Sequence, residues 1–268
     1  MLENKLNTHS TDIRDKFDLN ILYGDVHIPF HDQRKCRILL NVIEDLQPDR
    51  IVDGGDLVNA TQISNFDKTV DQLSGLQSEL NQAKNWLSSI STICPNAEKI
   101  LLRDNHFYRR IADKIKKQNY GLGDLECLEP DNLLKLDELG WKSQEDWKFR
   151  NVLVALHGDA GGGGSNLCPT NAVRKLIKEN GVSVIRFHTH ASGLEFHNQT
   201  QNGTLVACQC GTLHDLCKVD YIKHGELLHN WTQSFILLYT SKKTKEFFIV
   251  PIYFINNTCL VNGRLYKW

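Results

Sequence analysis

The amino-acid sequence predicts an α/β fold, and three observations lead to this prediction. Short apolar runs near residues 21, 51, 100, 153 and 184 have the length of buried strands and end in glycine or polar residues. Amphipathic helical patterns separate the first three runs. More short apolar runs follow residue 190 without long helices between them. Strands that alternate with helices pair in parallel and consecutive strands pair antiparallel, so both kinds of pairing are expected.

The first predicted strand lies in Leu19–His27 and ends in two side chains of the kind that bind metal ions. Residues 21–23 form an apolar run typical of a strand buried on both faces, and Gly24 permits a turn. Asp25 and His27 are two residues apart, so in extended chain they point the same way. We expect both at the carboxyl end of the strand.

The next segment completes a strand–helix–strand unit. Residues 31–46 carry apolar side chains at positions 39, 40, 43 and 46, a helical stripe that ends before Pro48. Arg50–Asp56 repeats the first strand's pattern of apolar run, glycine and carboxylate. A right-handed crossover makes the two strands parallel. Their ends, with Asp25 and Asp56, should therefore lie side by side at the edge where open sheets place their sites.

Three further strands also end in polar side chains, and the first of them follows an amphipathic helix predicted over residues 69–93. The strands and the residues after them are Lys99–Leu102 with Arg103–His106, Asn151–Leu156 with His157 and Gly158, and Val182–Phe187 with His188 and His190. The glycine run at 161–164 lacks the spacing of a phosphate-binding loop. We interpret it as a flexible joint before a helix at Thr170–Asn180.

The rest of the chain predicts a second, largely antiparallel sheet, a cap and a tail. The strands of this second sheet are Leu194–His197, Thr204–Cys208, Phe235–Tyr239, Phe247–Tyr253 and Thr258–Val261. Residues 107–150 are rich in Leu, Lys, Asp and Glu and should form a helical cap insertion over the rim of the site. Residues 1–18 are expected to be an N-terminal tail, so the domain spans 19–268.

Composition and charge exclude several classes of protein. The chain has 268 residues, of which 41% are hydrophobic and 24% charged, as in an ordinary soluble globular domain. The formal net charge of −1 excludes a global basic field for nucleic acid but is compatible with a local groove. No run of 18 apolar residues and no signal peptide appear, so we expect a cytoplasmic protein without a membrane partner.

The eight cysteines show no Cys-X-X-Cys spacing, and several lie in apolar stretches. This favours free, buried thiols in a reducing compartment over a disulfide framework. Cys208 and Cys210 could bind a soft metal, but alternation along a strand is the preferred interpretation.

Taken together, five polar motifs occur in a fixed order after the predicted strands. They are Asp25-X-His27, Gly55-Asp56, Asn105-His106, His157-Gly158 and His188-X-His190. In order and spacing, residues 19–190 resemble the calcineurin-like metallophosphoesterases, and the flanking Val26–Asp32 and Asn230–Gln233 resemble a branch carried by phages and prophages. The resemblance implies an α/β/β/α sandwich of two mixed β-sheets flanked by helices, with the site at the strand ends between the sheets.

The resemblance also implies a site for two divalent metal ions. It assigns Asp25, His27 and His190 to the first metal, Asn105, His157 and His188 to the second, and Asp56 to both as a bridge. Such oxygen and nitrogen donors suit Mn²⁺ first, with Fe, Zn²⁺, Ni or Mg²⁺ as alternatives, and the lack of thiolates argues against structural zinc. In the family a metal-bridging hydroxide, formed because metal binding brings the pKa of water from about 15.7 towards ~7, attacks the phosphorus.

His106 matches the family's catalytic histidine that is not a ligand, which protonates the leaving oxygen or stabilises phosphoryl charge. The motif around it departs from the family pattern. Asp104 replaces a glycine, and Phe107 replaces the acid that orients the histidine, a role that Asp104 or another acid could take. Phe187 replaces the glycine before the last motif. These changes should affect rate and leaving-group preference more than metal binding.

Four residues are candidates for substrate contact: Asp104, Arg109, Arg110 and His214. The two arginines belong to a basic cluster that is interpreted as the solvated face of a cap helix or, alternatively, as a contact to a phosphate backbone. The remaining histidines, His31, His197, His224 and His229, are interpreted as structural or exposed. Trp141 and Trp147 are expected to pack in the cap, with base stacking as the alternative. Trp231 is expected in the core.

The leading prediction is a metal-dependent phosphoric ester hydrolase, with a diester preferred over a monoester. The alternative enzyme is a nuclease acting on DNA or RNA. The near-neutral charge disfavours an extended duplex footprint but allows a short single strand, a nucleotide or a cyclic dinucleotide. The alternative of another class is a catalytically weak metal-binding interaction module, which only the altered Asn-His motif favours.

Overall fold

The computed structural model describes residues 12–63, 75–117, 120–159, 175, 177–178, 181–199, 203–218 and 231–268. Its helices and strands are α1 (Ile13–Lys16), β1 (Phe17–Tyr23), α2 (Gln33–Leu46), β2 (Arg50–Asp53), α3 (Leu76–Ile93), β3 (Glu98–Leu102), α4 (Pro130–Leu134), β4 (Trp141–Gln144), β5 (Asp146–Phe149), β6 (Leu153–Leu156), β7 (Ser183–Arg186), β8 (Gly193–Gln199), β9 (Gly203–Gln209), β10 (Ser234–Ser241), β11 (Phe247–Tyr253), β12 (Thr258–Val261) and β13 (Arg264–Lys267).

Two mixed sheets organise the described part of the chain. The first has the order β11-β10-β1-β2-β3-β4, and the second has the order β5-β6-β7-β9-β8. In the first sheet β1 to β4 run parallel and β10 and β11 antiparallel, whereas in the second sheet β6, β7 and β9 run parallel between antiparallel edges. The short hairpin β12-β13 stands apart and packs near α2.

The packing of buried side chains shows how the layers are stacked. Alternate residues of a strand face opposite sides of a sheet. Ile21 of β1 faces a core shared with α2 and α3, whereas Leu22 packs in a second core with Ile185 and Cys208 of the other sheet. The sheets therefore face each other, and the predicted α/β/β/α sandwich of two mixed sheets flanked by helices is confirmed.

The strand–helix–strand unit is formed as predicted. Helix α2 begins after Asp32, whose carboxylate accepts hydrogen bonds from the amides of Arg34 and Lys35, and it ends at Leu46. Strand β2 then pairs in parallel with β1. Helix α3, within the amphipathic helix predicted over residues 69–93, buries Leu80, Ala83, Leu87 and Ile90 on one face.

The predicted membership of the second sheet is wrong for its C-terminal strands. β10 and β11 belong to the first sheet, where β10 pairs antiparallel with β1 and Ile21 is opposite Leu237. All eight residues of β10 are buried, as a strand between β1 and β11 requires. The apolar pattern reports that burial but does not identify the partner strand.

The predicted helical cap is shorter than expected. Helical turns at Asn105–Arg109 and Ala112–Lys117 and short helices up to Leu134 occupy the first part of the predicted range, and their role as a cap stays a prediction. Residues 141–149 are instead the edge strands β4 and β5, one in each sheet. Trp141 and Trp147 are buried in the cores of these sheets. Edge strands expose one side and carry polar residues, so they lack a clear apolar pattern.

The N-terminal boundary also differs from the prediction, since α1 and β1 already include residues 13–18. The described cysteines are all free thiols, as expected, while Cys168, most of the helix predicted at 170–180, His224 and His229 lie outside the described residues. Among the described residues, no helix is both long enough and apolar enough to cross a membrane.

Candidate metal centre

The polar motifs meet in one cleft because both sheets present strand ends to it. Asp25 and His27 follow β1, Asp56 follows β2, and Asn105 and His106 follow β3 of the first sheet. From the second sheet, His157 follows β6, and His188 and His190 follow β7. All seven predicted ligands are therefore brought together, although their role as ligands stays a prediction.

We call Asp25, His27 and His190 the first group. The Nε2 atoms of His27 and His190 are 2.9 Å apart, and Nε2 of His190 lies 3.2 Å from Oδ1 of Asp25. The three side chains are 0%, 1% and 4% exposed. Their potential ligand atoms all lie within 4.8 Å of one another, which is the size of a site for one ion.

We call Asn105, His157 and His188 the second group. Nε2 of His157 lies 2.9 Å from Oδ1 of Asn105. His157, His188 and Asp56 form another cluster whose ligand atoms lie within 4.8 Å of one another. The His188 side chain is 27% exposed and Asn105 is partly exposed, so this group faces solvent more than the first.

Asp56 lies between the two groups. Its Oδ2 is 3.8 Å from Nε2 of His27, 3.4 Å from Nε2 of His157 and 3.9 Å from Nδ1 of His188. One carboxylate oxygen thus lies near nitrogen atoms of both groups, as a bridging ligand must.

Hydrogen bonds outside the groups fix the direction of several rings. Nδ1 of His27 donates to Oδ1 of Asn59, and Nδ1 of His157 donates to the carbonyl of Gly54, so the Nε2 atoms face the cleft. The amide of His188 donates to Oδ2 of Asp25 and leaves Oδ1 towards the cleft. Such supporting bonds orient metal ligands and set the tautomer of each imidazole.

The backbone at the centre is strained. Five predicted ligands have a positive backbone φ, between 51° and 73°: Asp25, His27, Asp56, His188 and His190. Residues with a Cβ avoid this region because of steric contact, at a cost of roughly 1–3 kcal/mol each. Strain of this kind clusters at functional sites, where the surrounding structure holds it.

Phe187 explains one departure from the family pattern. Its buried ring packs against Gly24 and Gly54 at the ends of β1 and β2, where a Cβ would come within 2.8 and 2.2 Å of the ring. The glycines of the first sheet therefore make room for the phenylalanine of the second. This contact sets how closely the two ligand-bearing edges approach each other.

Charges within the cleft shift the pKa values of its groups in opposite directions. Burial, with the nearby His106, holds the pKa of His27 well below its usual value. Burial alone would also lower the pKa of His157, but the Asp56 carboxylate raises it to about 10. Burial opposes ionisation of Asp56, yet His106 and His157 hold its pKa well below the usual range. His27 is therefore neutral without metal, and His157 is protonated.

Asp104 lies at the junction of the cleft and the cap and is buried. Its Oδ1 accepts hydrogen bonds from the amides of Phe107 and Tyr108, and its Oδ2 accepts one from the amide of Asp56. Burial and the nearby Asp56 charge raise the pKa of Asp104 to about 7. We assign it to positioning Asp56 and the Asn105–Arg109 turn, and its predicted contact with substrate stays a prediction.

His106 lies beside Asp56, with its Nε2 3.8 Å from Oδ2, and its side chain is 16% exposed. Burial lowers the pKa of His106 to about 4. Its Nδ1 has no hydrogen-bond partner among the described residues, so neither Asp104 nor another acid there replaces the missing orienting carboxylate. The ring is held instead by edge contact with His27 at 4.7 Å between centroids.

The two predicted arginines reach the rim of the site and bind acceptors of this chain. Arg109 forms an ion pair with Asp159, and Arg110 donates to the carbonyl of Asn59. A cavity of about 620 Å³ opens beside Arg109 and Tyr108, and acidic side chains make up much of its lining. Arg110 thereby supports the loop that orients His27.

His214 and Trp231 lie at the site, and for Trp231 this corrects the prediction of a core position. Trp231 is partly exposed and its ring centroid is 4.1 Å from that of His190. His214 is buried, and its ring centroid lies 5.2 Å from that of His27. Burial lowers the pKa of His214 to about 4. Sequence reasoning also missed Asn59, whose only trace is a polar residue three positions after Asp56.

The residues present fit metal ions. Nδ1 of His188 is buried and has no hydrogen-bond partner within the described ranges, and Oδ1 of Asp25 has an ion-pair contact with His190 at 3.2 Å but no hydrogen bond there. Buried polar atoms of this kind are costly unless a ligand completes them. The set is carboxylate, imidazole and amide oxygen without thiolate, which suits Mn²⁺, Fe or Zn²⁺. The cleft is therefore a candidate for metal binding.

No family model matches this sequence. It is similar to two phage proteins, each called Gene 54 protein: 24% identical over 255 residues in Mycobacterium phage L5 and 25% in Mycobacterium phage D29, covering 92% of this chain and 98% of each relative. The phage-type branch that the sequence indicated agrees with these relatives.

The solved structures that are similar to this chain include a Vps29 and a phosphoesterase. Zinc-complexed Vps29 from Entamoeba histolytica is 14% identical with a TM-score of 0.43, covering 92% of this chain and 95% of that one. YfcE, a phosphoesterase from E. coli, is 10% identical with a TM-score of 0.39, covering 87% and 98%. Similarity of this degree does not extend an activity to this chain. Its own two-sheet topology and motif placement match the metallophosphoesterase fold that the resemblance implied.

Proposed function

We propose that this protein is a metallophosphoesterase that binds two divalent metal ions and hydrolyses a phosphoester, with diesters preferred over monoesters. The observation that carries the proposal is the position of Asp56, whose Oδ2 lies within reach of nitrogen atoms from both ligand groups. A carboxylate placed in this way is the bridging ligand of a two-metal site.

The first group, the second group and Asp56 would hold the ions, with Mn²⁺ as the proposed metal and Fe, Zn²⁺, Ni or Mg²⁺ as alternatives. Bound ions of this kind supply Lewis-acid charge to a phosphoryl group and a nucleophilic water at neutral pH. The protein's contribution is to fix the ligand directions through Asn59, Gly54 and the amide of His188.

His106 is proposed as the catalytic residue of this chain. It lies beside Asp56 and belongs to neither ligand group. From this position its ring N–H would donate a hydrogen bond to a phosphoryl or leaving-group oxygen and stabilise charge that develops there.

The proposed preference for diesters rests on the charge at the rim. Arg109 and Arg110 are engaged with Asp159 and with the Asn59 carbonyl. They therefore add little uncompensated positive charge for the second negative charge of a monoester. A diester carries a single charge and needs less compensation.

The second candidate function is a catalytically weak metal-binding interaction module. The observation in its favour is the environment of His106: Phe107 is buried in the core where the family has an orienting acid, and Nδ1 of His106 has no partner in the ranges described. A ring held only by packing is less well aimed.

The substrate of the proposed enzyme is a phosphate ester, for which a nucleotide or a short single strand of DNA or RNA is a candidate. If this is a nuclease, cleavage should weaken steeply with salt and further when Arg109 and Arg110 are neutralised. Because the relatives are phage proteins, the proposed location is the host cytoplasm.

The test compares bis-p-nitrophenyl phosphate with the p-nitrophenyl monoester, using metal-stripped protein reloaded with each metal in turn. We expect diester turnover that requires metal and falls about 10²-fold in His106→Ala. His197→Ala, which removes a histidine from β8, is the matched control and should retain turnover.

Two results would oppose the proposal. Turnover that persists without any metal would show that the ligand groups do not catalyse it. Absence of turnover with every metal, while two ions remain bound per chain, would support the interaction module instead.

A further inference from the structure

Three aromatic rings stand beside the first group and have no role in the proposed chemistry. We call Phe30, His214 and Trp231 the aromatic wall. The rings of Phe30 and His214 are stacked, with centroids 6.2 Å apart and planes 24° apart. The ring centroid of Trp231 lies 6.4 Å from that of His214 and 4.1 Å from that of His190, and both contacts are T-shaped. The aromatic wall therefore lies directly beside His190 of the first group.

The backbone holds the wall rigidly against the ligands. The amide of Asp215 donates to the carbonyl of Phe30. The amide of Leu213 and the hydroxyl of Thr212 both donate to the carbonyl of Asp25. On the other side, the amide of Thr232 donates to the carbonyl of His190. The three loops are therefore a preformed surface rather than a set of independent side chains.

The rings differ in exposure in a way that suits a binding surface. His214 is buried, and its Nδ1 donates to the carbonyl of Asp215, so it supports the rings around it. Phe30 and Trp231 at the two ends remain partly exposed. An isolated exposed aromatic residue means little, but two beside a candidate phosphoester site offer flat apolar faces next to the proposed metal positions.

Charge is distributed unevenly across the cleft. Arg109 and Arg110 lie on the cap side, where Arg109 pairs with Asp159 and Arg110 donates to the carbonyl of Asn59. The three loops of the wall, residues 28–32, 211–215 and 231–233, contain no lysine or arginine. A ligand that fits both sides has phosphate at the centre and a planar apolar ring on the side of the wall.

We propose that Phe30 and Trp231 stack a nucleobase of the substrate, so that the ester hydrolysed here belongs to a nucleotide. This inference rests on the proposed phosphoesterase function. A planar ring continues the stack that His214 and Phe30 begin, whereas an alkyl group gains only its buried area. Stacking of a base on an aromatic side chain is sequence-tolerant, so the wall favours nucleotides without selecting one base.

The experiment uses two diesters with the same leaving group: thymidine 5′-(p-nitrophenyl phosphate) and ethyl p-nitrophenyl phosphate. The full chain is loaded with Mn²⁺. We expect kcat/KM for the nucleoside ester to exceed that for the ethyl ester by about 10-fold or more, from the usual strength of base stacking. Phe30→Leu should reduce this ratio by about 10-fold, mainly through KM, and Trp231→Phe, which keeps a ring, should reduce it less.

The control is Phe248→Leu, which changes a 54% exposed phenylalanine on the edge strand β11 and should leave the ratio unchanged. Equal kcat/KM for the two esters in the wild type would overturn the inference. So would an equal loss for both esters in Phe30→Leu, which would show that the wall only supports His27 and His190.

Failure of the proposed function has a different signature, namely no turnover of either ester. Binding then decides the inference: calorimetry of the Mn²⁺-loaded chain with thymidine 5′-monophosphate and with ethyl phosphate. Binding of the nucleotide that is about 10-fold tighter, and that is weakened by Phe30→Leu, would uphold the stacking surface. Equal affinity would reject it.

Discussion

The two ligand groups of the metal centre differ in burial and in support. The first group is almost completely buried, and the carbonyls of Asp25 and His190 accept hydrogen bonds from the wall loops. The second group includes Asn105 on the cap turn and His188 with a side chain that is 27% exposed. The first group is thus built into the sandwich, whereas the second combines the buried His157 with two partly exposed residues.

This difference teaches that the two metal positions need not behave alike. A buried, rigid set of ligands releases an ion slowly, whereas an exposed set supported by a short cap exchanges it more readily. We infer that the first group retains its ion and that the second is loaded and emptied with conditions. Oδ2 of Asp56 lies near nitrogen atoms of both groups, so in the proposed site Asp56 would couple the two halves.

The largest effect should come from removing this coupling with Asp56→Asn. Loss of the bridging charge weakens both positions, so we expect kcat/KM to fall by at least ~10³-fold and bound metal to decrease at both groups. Turnover assays and elemental analysis of the purified variant measure this. Full occupancy of one position in the variant would show that the halves are independent.

Removing one ligand from each half tests the asymmetry directly. His188→Ala should leave one tightly bound ion per chain, whereas His190→Ala should weaken binding of the first ion by about 100-fold or more. Competition with a chelator of known affinity gives both values, with His197→Ala as the unaffected control. If His188→Ala loses both ions and His190→Ala only one, the ranking of the halves is reversed.

The two ligand groups should differ in the number of protons that they release when they bind a metal ion. Without metal, His27 is neutral, whereas His157 has a pKa of about 10 and must lose its proton to bind an ion. Affinity at the second group should therefore rise about tenfold per pH unit between pH 6.5 and 8.5. Burial holds the pKa of His27 well below this range, so His27 should release no proton when the first group binds its ion.

Calorimetry in buffers of different ionisation enthalpy counts these protons. We expect about one proton released for the second ion, since the raised pKa keeps His157 charged until the pH approaches 10. The same reasoning makes the charged His157 stabilise the metal-free fold below pH 6.5, with that contribution lost as pH rises through 10. Binding of both ions without proton release would contradict the pairing of His157 with Asp56.

The smallest effect concerns Asp104, which connects Asp56 to the turn of the second group. Asp104→Ala leaves three amide donors without this acceptor and should lower the free energy of unfolding by about 1–3 kcal/mol. Denaturant unfolding measures it, and Asp146→Ala at an exposed ion pair is the control. Metal affinity should weaken at the second group more than at the first, and an equal loss at both would oppose this placement.

The sequence alone predicted the centre better than the sheets around it. The strand–helix–strand pattern was enough to place Asp25 and Asp56 side by side, and the resemblance to the metallophosphoesterases added His157 to the same site. The partner of β10 could not be predicted in this way. Its pairing joins Ile21 to Leu237, and burial patterns contain no signal of which strands are neighbours.

The supporting contacts were also beyond prediction. The role of Asp104 depends on amides of Asp56 and Phe107 that are distant or unremarkable in the sequence. Trp231 looked like a core residue because aromatic side chains near strands usually are, and only its contact with His190 shows otherwise. Residue type indicates where a side chain usually lies, whereas the roles of Asp104 and Trp231 depend on the particular groups that they contact.

The left-handed backbone at five of the predicted ligands has a consequence for how the sequence of related proteins could change. Glycine and asparagine adopt positive φ more easily than aspartate or histidine, so replacing His188 or Asp25 by either would relieve strain. A lineage that no longer needed the centre would gain stability by these substitutions. Glycine or asparagine at these five positions in a related phage protein would therefore indicate that this protein no longer binds metal ions at the site.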